Sequence, residues 1–147
     1  MGFVGLCLLV GVSGGTITAT ALHSWYPTLA KPSITPPEWI YAPVWAVLYV
    51  MMGVSGWMVW QRNGASRALR LWGWQLAANA LWVPAFFGLR SAALGLVDLM
   101  LMLILIGVTI HAFRRVRRLA AWLLVPYFAW CVFAAYLNAG FLVLNPA

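Results

Sequence analysis

Gln75, Asn79, Trp82 and Phe86 have the types and the spacing to build a polar and aromatic site. At 100° per residue they share one helix face within about 60°. An amide in an apolar setting needs a hydrogen bond or costs several kcal/mol. Gln75 and Asn79 therefore read either as glue between helices or as a ligand's polar handle in an aromatic pocket. Trp45 and Tyr49, four residues apart, could form a second wall. Tyr127, Trp130, Ala134 and Asn138 share a face and could form a third. Deep indoles are not needed for lipid contact, and each N–H wants a partner. That singles out Trp45, Trp82 and Trp130.

Other chemistry is thinly represented. Asp98 is the sole acid within a long apolar run. A proton relay normally needs more than one such group, so it reads as a packed, hydrogen-bonded residue rather than a transport carboxylate. His23 and His111 sit near the ends of apolar runs and are weak candidates for haem ligands. No Cys, His, Asp or Glu cluster has metal-ligand spacing. A nucleophile–base motif, a P-loop and a dinucleotide fingerprint are all missing. Cys7 and Cys131 lie in apolar runs and read as small hydrophobes.

The elements that must position these residues follow from composition. Of 147 residues, 65% are hydrophobic and 7% charged. A soluble domain carries about 25% charged residues, so a soluble globular protein is excluded. The net charge of +7 does not point to nucleic acid, because the basic residues fill short gaps between apolar runs. About 20 apolar residues cross a bilayer, and five stretches qualify: about 3–22, 39–60, 68–89, 92–113 and 120–143. The expected fold is an all-α bundle of five transmembrane helices, one domain over 1–147. Helix 1 carries Ala19-Thr20-Ala21, which has the form of a leader cleavage site. No Lys or Arg precedes its apolar run, so it reads as a span.

The loop 23–38 is long and holds Pro27, Pro32, Pro36 and Pro37. Proline fixes φ and lacks an amide donor, so this loop is expected to be stiff and non-helical, a lid over the bundle. Arg62, Arg67, Arg70, Arg114, Arg115, Arg117 and Arg118 fall on one side of a five-span chain, and Lys31 and Arg90 on the other. The positive-inside rule then places the N-terminus in the cytoplasm and the proline loop and C-terminus outside. Trp25, Trp39, Trp60 and Trp122 lie near span ends, as interfacial indoles do. Gly73, Ala77, Ala80, Pro84 and Gly88 form a small-residue stripe on helix 3, opposite its polar face. Such a stripe lets a neighbour approach closely; the neighbour is either another helix or a second subunit. Gly11-x-x-x-Gly15 reads as internal packing.

These residues closely resemble the TspO/MBR family, the tryptophan-rich sensory proteins related to the mitochondrial translocator protein. Trp25-Tyr26-x-x-Leu29-x-Lys31-Pro32, Pro36-Pro37-x-Trp39 and Pro43-x-Trp45-x-x-Leu48-Tyr49 are similar to its first loop and second helix. Gln75-x-x-x-Asn79-x-x-Trp82-x-Pro84-x-Phe86-Phe87-Gly88 resembles its third helix. Val97-Asp98-Leu99 resembles part of its fourth, and Pro126-Tyr127-x-x-Trp130-x-x-Phe133-Ala134-x-x-Leu137-Asn138 its fifth.

The resemblance implies a dimer built largely through helix 3 and a pocket beneath the first loop. That pocket would bind porphyrins (protoporphyrin IX or haem), and in some members isoquinoline drugs or sterols. Trp45, Gln75, Asn79, Trp130 and Ala134 would line it, with Trp25 and Tyr26 contributing from the loop. Trp45 and Trp130 match positions tied in some members to light-dependent porphyrin breakdown, which makes them the only catalytic candidates. No cofactor is obligatory. Three functions follow as expectations: a porphyrin-binding transporter or sensor, a light-dependent porphyrin-degrading enzyme, or a regulatory or structural protein binding small hydrophobic ligands or sterols. Tyr136 has no basic residue after it, so the family's sterol motif is incomplete.

Overall fold

The computed structural model describes residues 2–145. Five helices run in chain order: α1 (Gly2–Ser24), α2 (Tyr41–Asn63), α3 (Arg67–Val83), α4 (Ala92–Val116) and α5 (Arg118–Leu144). Among the described residues there is no strand. α1, α2 with the turn before it, α4 and α5 are each long and apolar enough to cross a membrane. α3 is shorter, 17 residues, and carries Arg67, Arg70, Gln75 and Asn79.

Local chemistry sets the helix ends. Gly64 closes α2 at φ 60°, a conformation that costs glycine nothing. Ser66 and Ser91 cap α3 and α4, accepting from the amides of Leu69 and Leu94; each satisfies a donor the helix leaves free. The turn between α3 and α4 needs a left-handed residue, and Arg90 takes it at φ 53°.

Three elements depart from the sequence expectation. Helix 3 does not run as an α-helix to Leu89. Pro84 would remove a ladder bond and crowd the carbonyl four residues back. The chain widens instead into a π turn over Pro84–Gly88, closed by the Leu89 amide donating to the Pro84 carbonyl at 2.8 Å. The connection expected over Arg114–Leu119 shrinks to a single extended residue, Arg117 (φ −156°). The proline loop is not wholly non-helical: Tyr26–Thr28 and Glu38–Ile40 each form a 3₁₀ turn.

The helices close in the order α1, α2, α5, α4, α3, with α3 and its π turn returning to α1. The core is polar as well as apolar. Ser55 Oγ donates to the Ala120 carbonyl at 2.7 Å, and Trp72 Nε1 to the Met52 carbonyl at 3.1 Å. Glycine permits one close helix approach. A Cβ on Gly53 of α2 would stand 2.5 Å from the Val4 Cα of α1.

Candidate functional site

The π turn positions the aromatic end of the site. A widened turn brings Phe86 and Phe87, neighbours in sequence, to the same cavity wall. Trp82 stacks on Phe86 with ring centroids 5.2 Å apart and planes 15° from parallel. Its indole N–H donates to Asn138 Oδ1 at 3.3 Å, and Asn138 Nδ2 donates to the Ala92 carbonyl at 2.6 Å. That relay ties α3, α4 and α5 together and fixes the Trp82 ring.

The cavity has a volume of about 430 Å³ and occupies the half of the bundle nearest the proline loop. α2 contributes Tyr41 and Trp45, and α5 contributes Trp130, Phe133, Ala134, Leu137 and Phe141. α1 contributes a small-residue wall that includes Gly11, Gly15 and Ala19. Trp45 and Trp130 stand edge to face, 6.5 Å apart at 88°. Among the described residues Glu38 is the one charged residue on the wall, and Lys31 Nζ lies 3.8 Å from its carboxylate.

The proline loop closes the cavity's end. Tyr26 is 4% exposed and wedges its ring against Phe87 and Phe141, at 5.8 and 5.5 Å. Lys31 sits over the same ring, 4.5 Å from its centroid. Burial pushes the Tyr26 phenol well above the ordinary tyrosine value, and Tyr41 and Glu38 beside it push the same way. Asn145, just past α5, clamps the loop at two points. It accepts from the Ala30 amide and donates to the Ala30 carbonyl, both at 2.9 Å. Pro32 packs on the bare face of Gly140.

The chain matches the model of the TspO/MBR family over residues 3–144. It belongs to the TspO/MBR family. A tryptophan-rich protein TspO of Chlorobaculum tepidum is 44% identical over 147 residues, covering 97% of this chain and 93% of that protein. The translocator protein of Bos taurus is 41% identical, covering 94% and 85%. The tryptophan-rich sensory protein of Cereibacter sphaeroides is 37% identical, covering 90% and 85%. With the apolar helices, this makes the chain an integral membrane protein.

Measured against this TspO/MBR chain's own cavity, the sequence candidates divide by height. Tyr26, Trp45, Trp82, Trp130, Ala134 and Asn138 line it. Asn79 borders only a small void beneath, shared with Trp45, Trp82 and Ala134. Tyr49 and Tyr127 flank Asn79 and are not on the main wall: the Tyr49 hydroxyl donates to Asn79 Oδ1 at 2.7 Å, and Asn79 Nδ2 donates to the Tyr127 hydroxyl at 2.9 Å. Gln75 is fully buried, and its amide atoms have no hydrogen-bond partner among the described residues. Trp25 packs edge-on to Phe86 at 5.4 Å, off the cavity wall. Asp98 lies on α4, which contributes nothing to the main wall.

Sequence reasoning missed the α1 wall, Phe133, Leu137 and Phe141, and the Asn145 clamp. A signal for α1 existed: Gly11, Gly15 and Ala19 recur every fourth residue. Gly11-x-x-x-Gly15 by itself reads as internal packing. Gly11 does pack, with Tyr49 Cε2 2.8 Å from where its Cβ would stand, whereas a Cβ on Gly15 would meet nothing within 4 Å.

Proposed function

We propose that this protein binds a flat, largely apolar tetrapyrrole of the porphyrin class in the cavity and acts as a transporter or sensor for it. The observation that carries the reading is a void of about 430 Å³ walled by Trp45, Trp82 and Trp130. Its size falls within the roughly 300–1,000 Å³ of small-molecule sites. Indole faces suit a planar macrocycle by stacking and by apolar burial. The Lys31–Glu38 pair at the loop end gives the ligand's polar edge a charged rim. The same reading makes five spans of the five helices. α3 with its π turn covers Arg67–Gly88, about 33 Å at 1.5 Å per residue. It also places the arginine ends in the cytoplasm and the loop outside.

The test is titration of the purified protein with protoporphyrin in the dark, followed by tryptophan fluorescence. Saturable quenching at micromolar ligand is expected. Its absence would leave the cavity without this ligand and favour a regulatory or structural role. A second reading, light-dependent breakdown of the bound porphyrin, draws support from the perpendicular Trp45–Trp130 pair on one wall. Illumination then bleaches the porphyrin bands in the unmodified protein and not in Trp45→Phe or Trp130→Phe. Equal bleaching in all three assigns the chemistry to the pigment alone.

A further inference from the structure

We infer that the cavity is loaded sideways from the hydrocarbon of the bilayer, through a cleft between the loop-side halves of α1 and α2, rather than from water beneath the proline loop. The inference rests on the binding reading above.

The arginine-side half of α1 is locked to the middle of α2. Val4 lies on the bare face of Gly53, and Tyr49 fills the space beside Gly11. Further towards the loop, among the described residues, no glycine of α1 or α2 takes a side chain of the other helix onto its bare face. Val12, Gly15 and Ala19 on α1 and Ala42 on α2 all line the cavity, and all four are exposed on the outside of the bundle. Val12 is 68% exposed. The wall of the cavity is therefore also the outer surface of the protein along this line. Gly15, Ala19 and Ala42 are small, and a Cβ on Gly15 would meet nothing within 4 Å. All four residues are apolar, and α1 is long and apolar enough to cross the membrane, so the gap faces lipid tails. An apolar ligand concentrates in those tails and would pass the cleft without crossing water.

On the loop side Glu38 also lines the cavity and is exposed, but the rest of that end is held by contacts. Tyr26 plugs the end between Phe87 and Phe141, Lys31 covers its ring and pairs with Glu38, Pro32 sits on Gly140, and Asn145 holds Ala30 by two hydrogen bonds. Passage there would break several of these contacts together.

Stopped-flow quenching by protoporphyrin, with the protein in phosphatidylcholine nanodiscs, distinguishes the routes. Gly15→Phe puts a ring into space that is empty around Gly15, so the fold tolerates it while the cleft narrows. Ala42→Phe narrows the cleft from its other edge and serves as the second variant. Either is expected to slow association about tenfold, whereas Asn145→Ala, which frees the loop, leaves the rate within about twofold. The inference is overturned if both cleft variants associate at the unmodified rate, or if freeing the loop speeds association tenfold. If the unmodified protein shows no saturable quenching at equilibrium, the binding reading fails and the route with it. Saturable quenching with unchanged rates in the cleft variants removes the route alone.

Discussion

Two amides one turn apart on α3 have opposite circumstances, and that difference can be measured. Asn79 bridges two tyrosine hydroxyls from α2 and α5, while Gln75 is as deeply buried with no partner among the described residues. Removing a bridging amide orphans the groups it served, at about 1–3 kcal/mol each, whereas removing an unpaired amide relieves a desolvation cost of similar size. Asn79→Leu should therefore lower the thermal midpoint of the ligand-free protein. Gln75→Leu should leave it unchanged or raise it. Circular dichroism melts in detergent check both, and a large loss for Gln75→Leu would show that its amide is engaged. Lys31 offers a second test. Its ammonium stands between Glu38 and the Tyr26 ring, so Lys31→Gln leaves Glu38 uncompensated beside the cavity. Exposed pairs contribute about 0.2–1 kcal/mol. A loss of a few-fold in affinity is expected for protoporphyrin, which carries two carboxylates, and none for its dimethyl ester. Equal losses for both would assign Lys31 a packing role.

At the scale of elements, α1 depends on glycine to stay attached. It buries only Cys7 and Ala21, and its Val4 backbone lies against Gly53 of α2. Gly53→Leu forces side chain into α1 backbone, and overpacking of this sort costs about 1–3 kcal/mol. The expected result is a lowered melting midpoint. The same change at Gly73, whose Cβ would meet nothing within 4 Å, should leave the isolated chain's midpoint unmoved. Elements of this kind were legible to different degrees. Long apolar runs separated by Gly64, Ser66 and Ser91 announce helices and their ends, because hydropathy and capping are local properties. The π turn was not legible, since a proline in an apolar helix is accommodated in several ways and tertiary contacts choose among them. The break at Arg117 was hidden inside a run of basic residues that looked like an ordinary loop. For the site, helical spacing gives the direction in which a side chain points but not its depth along the bundle. Gln75, Asn79, Trp82 and Phe86 do share a face. Only the last turns of it reach the cavity, because the void fills the loop-side half. Trp45, Trp82 and Trp130 were readable as deep indoles. The α1 wall was silent because glycine and alanine carry no chemistry of their own.

At the scale of the whole molecule, the distribution of exposed surface points outward from α3. Gly73, Ala77, Ala80 and Gly88 are exposed, and Pro84 is partly so. Trp74 and Leu81 stand beside them, both more than 60% exposed. This chain covers none of the glycines closely: Gly73 is free of neighbours, and Gly88 would meet only Pro84 and Ile17 at ordinary distance. A small stripe flanked by large apolar groups is a shape that a second helix can enter, and in lipid such packing drives association where hydrophobicity cannot. A second copy of the chain supplies the same stripe by symmetry, so the contact would be self-complementary. Ala77 lies at the middle of the stripe, where two backbones would approach most closely. Ala77→Leu should then shift the mass measured by light scattering in mild detergent from dimer towards monomer. The cavity lies on the other side of α3, so protoporphyrin quenching should be retained in that variant. A monomeric mass for the unmodified protein would remove the dimer proposed here, and a dimeric mass kept by Ala77→Leu would move its contact to another face. If that variant loses quenching along with the dimer, the two sites are coupled through α3, whose Trp82 borders the void while Ala77 faces away from it.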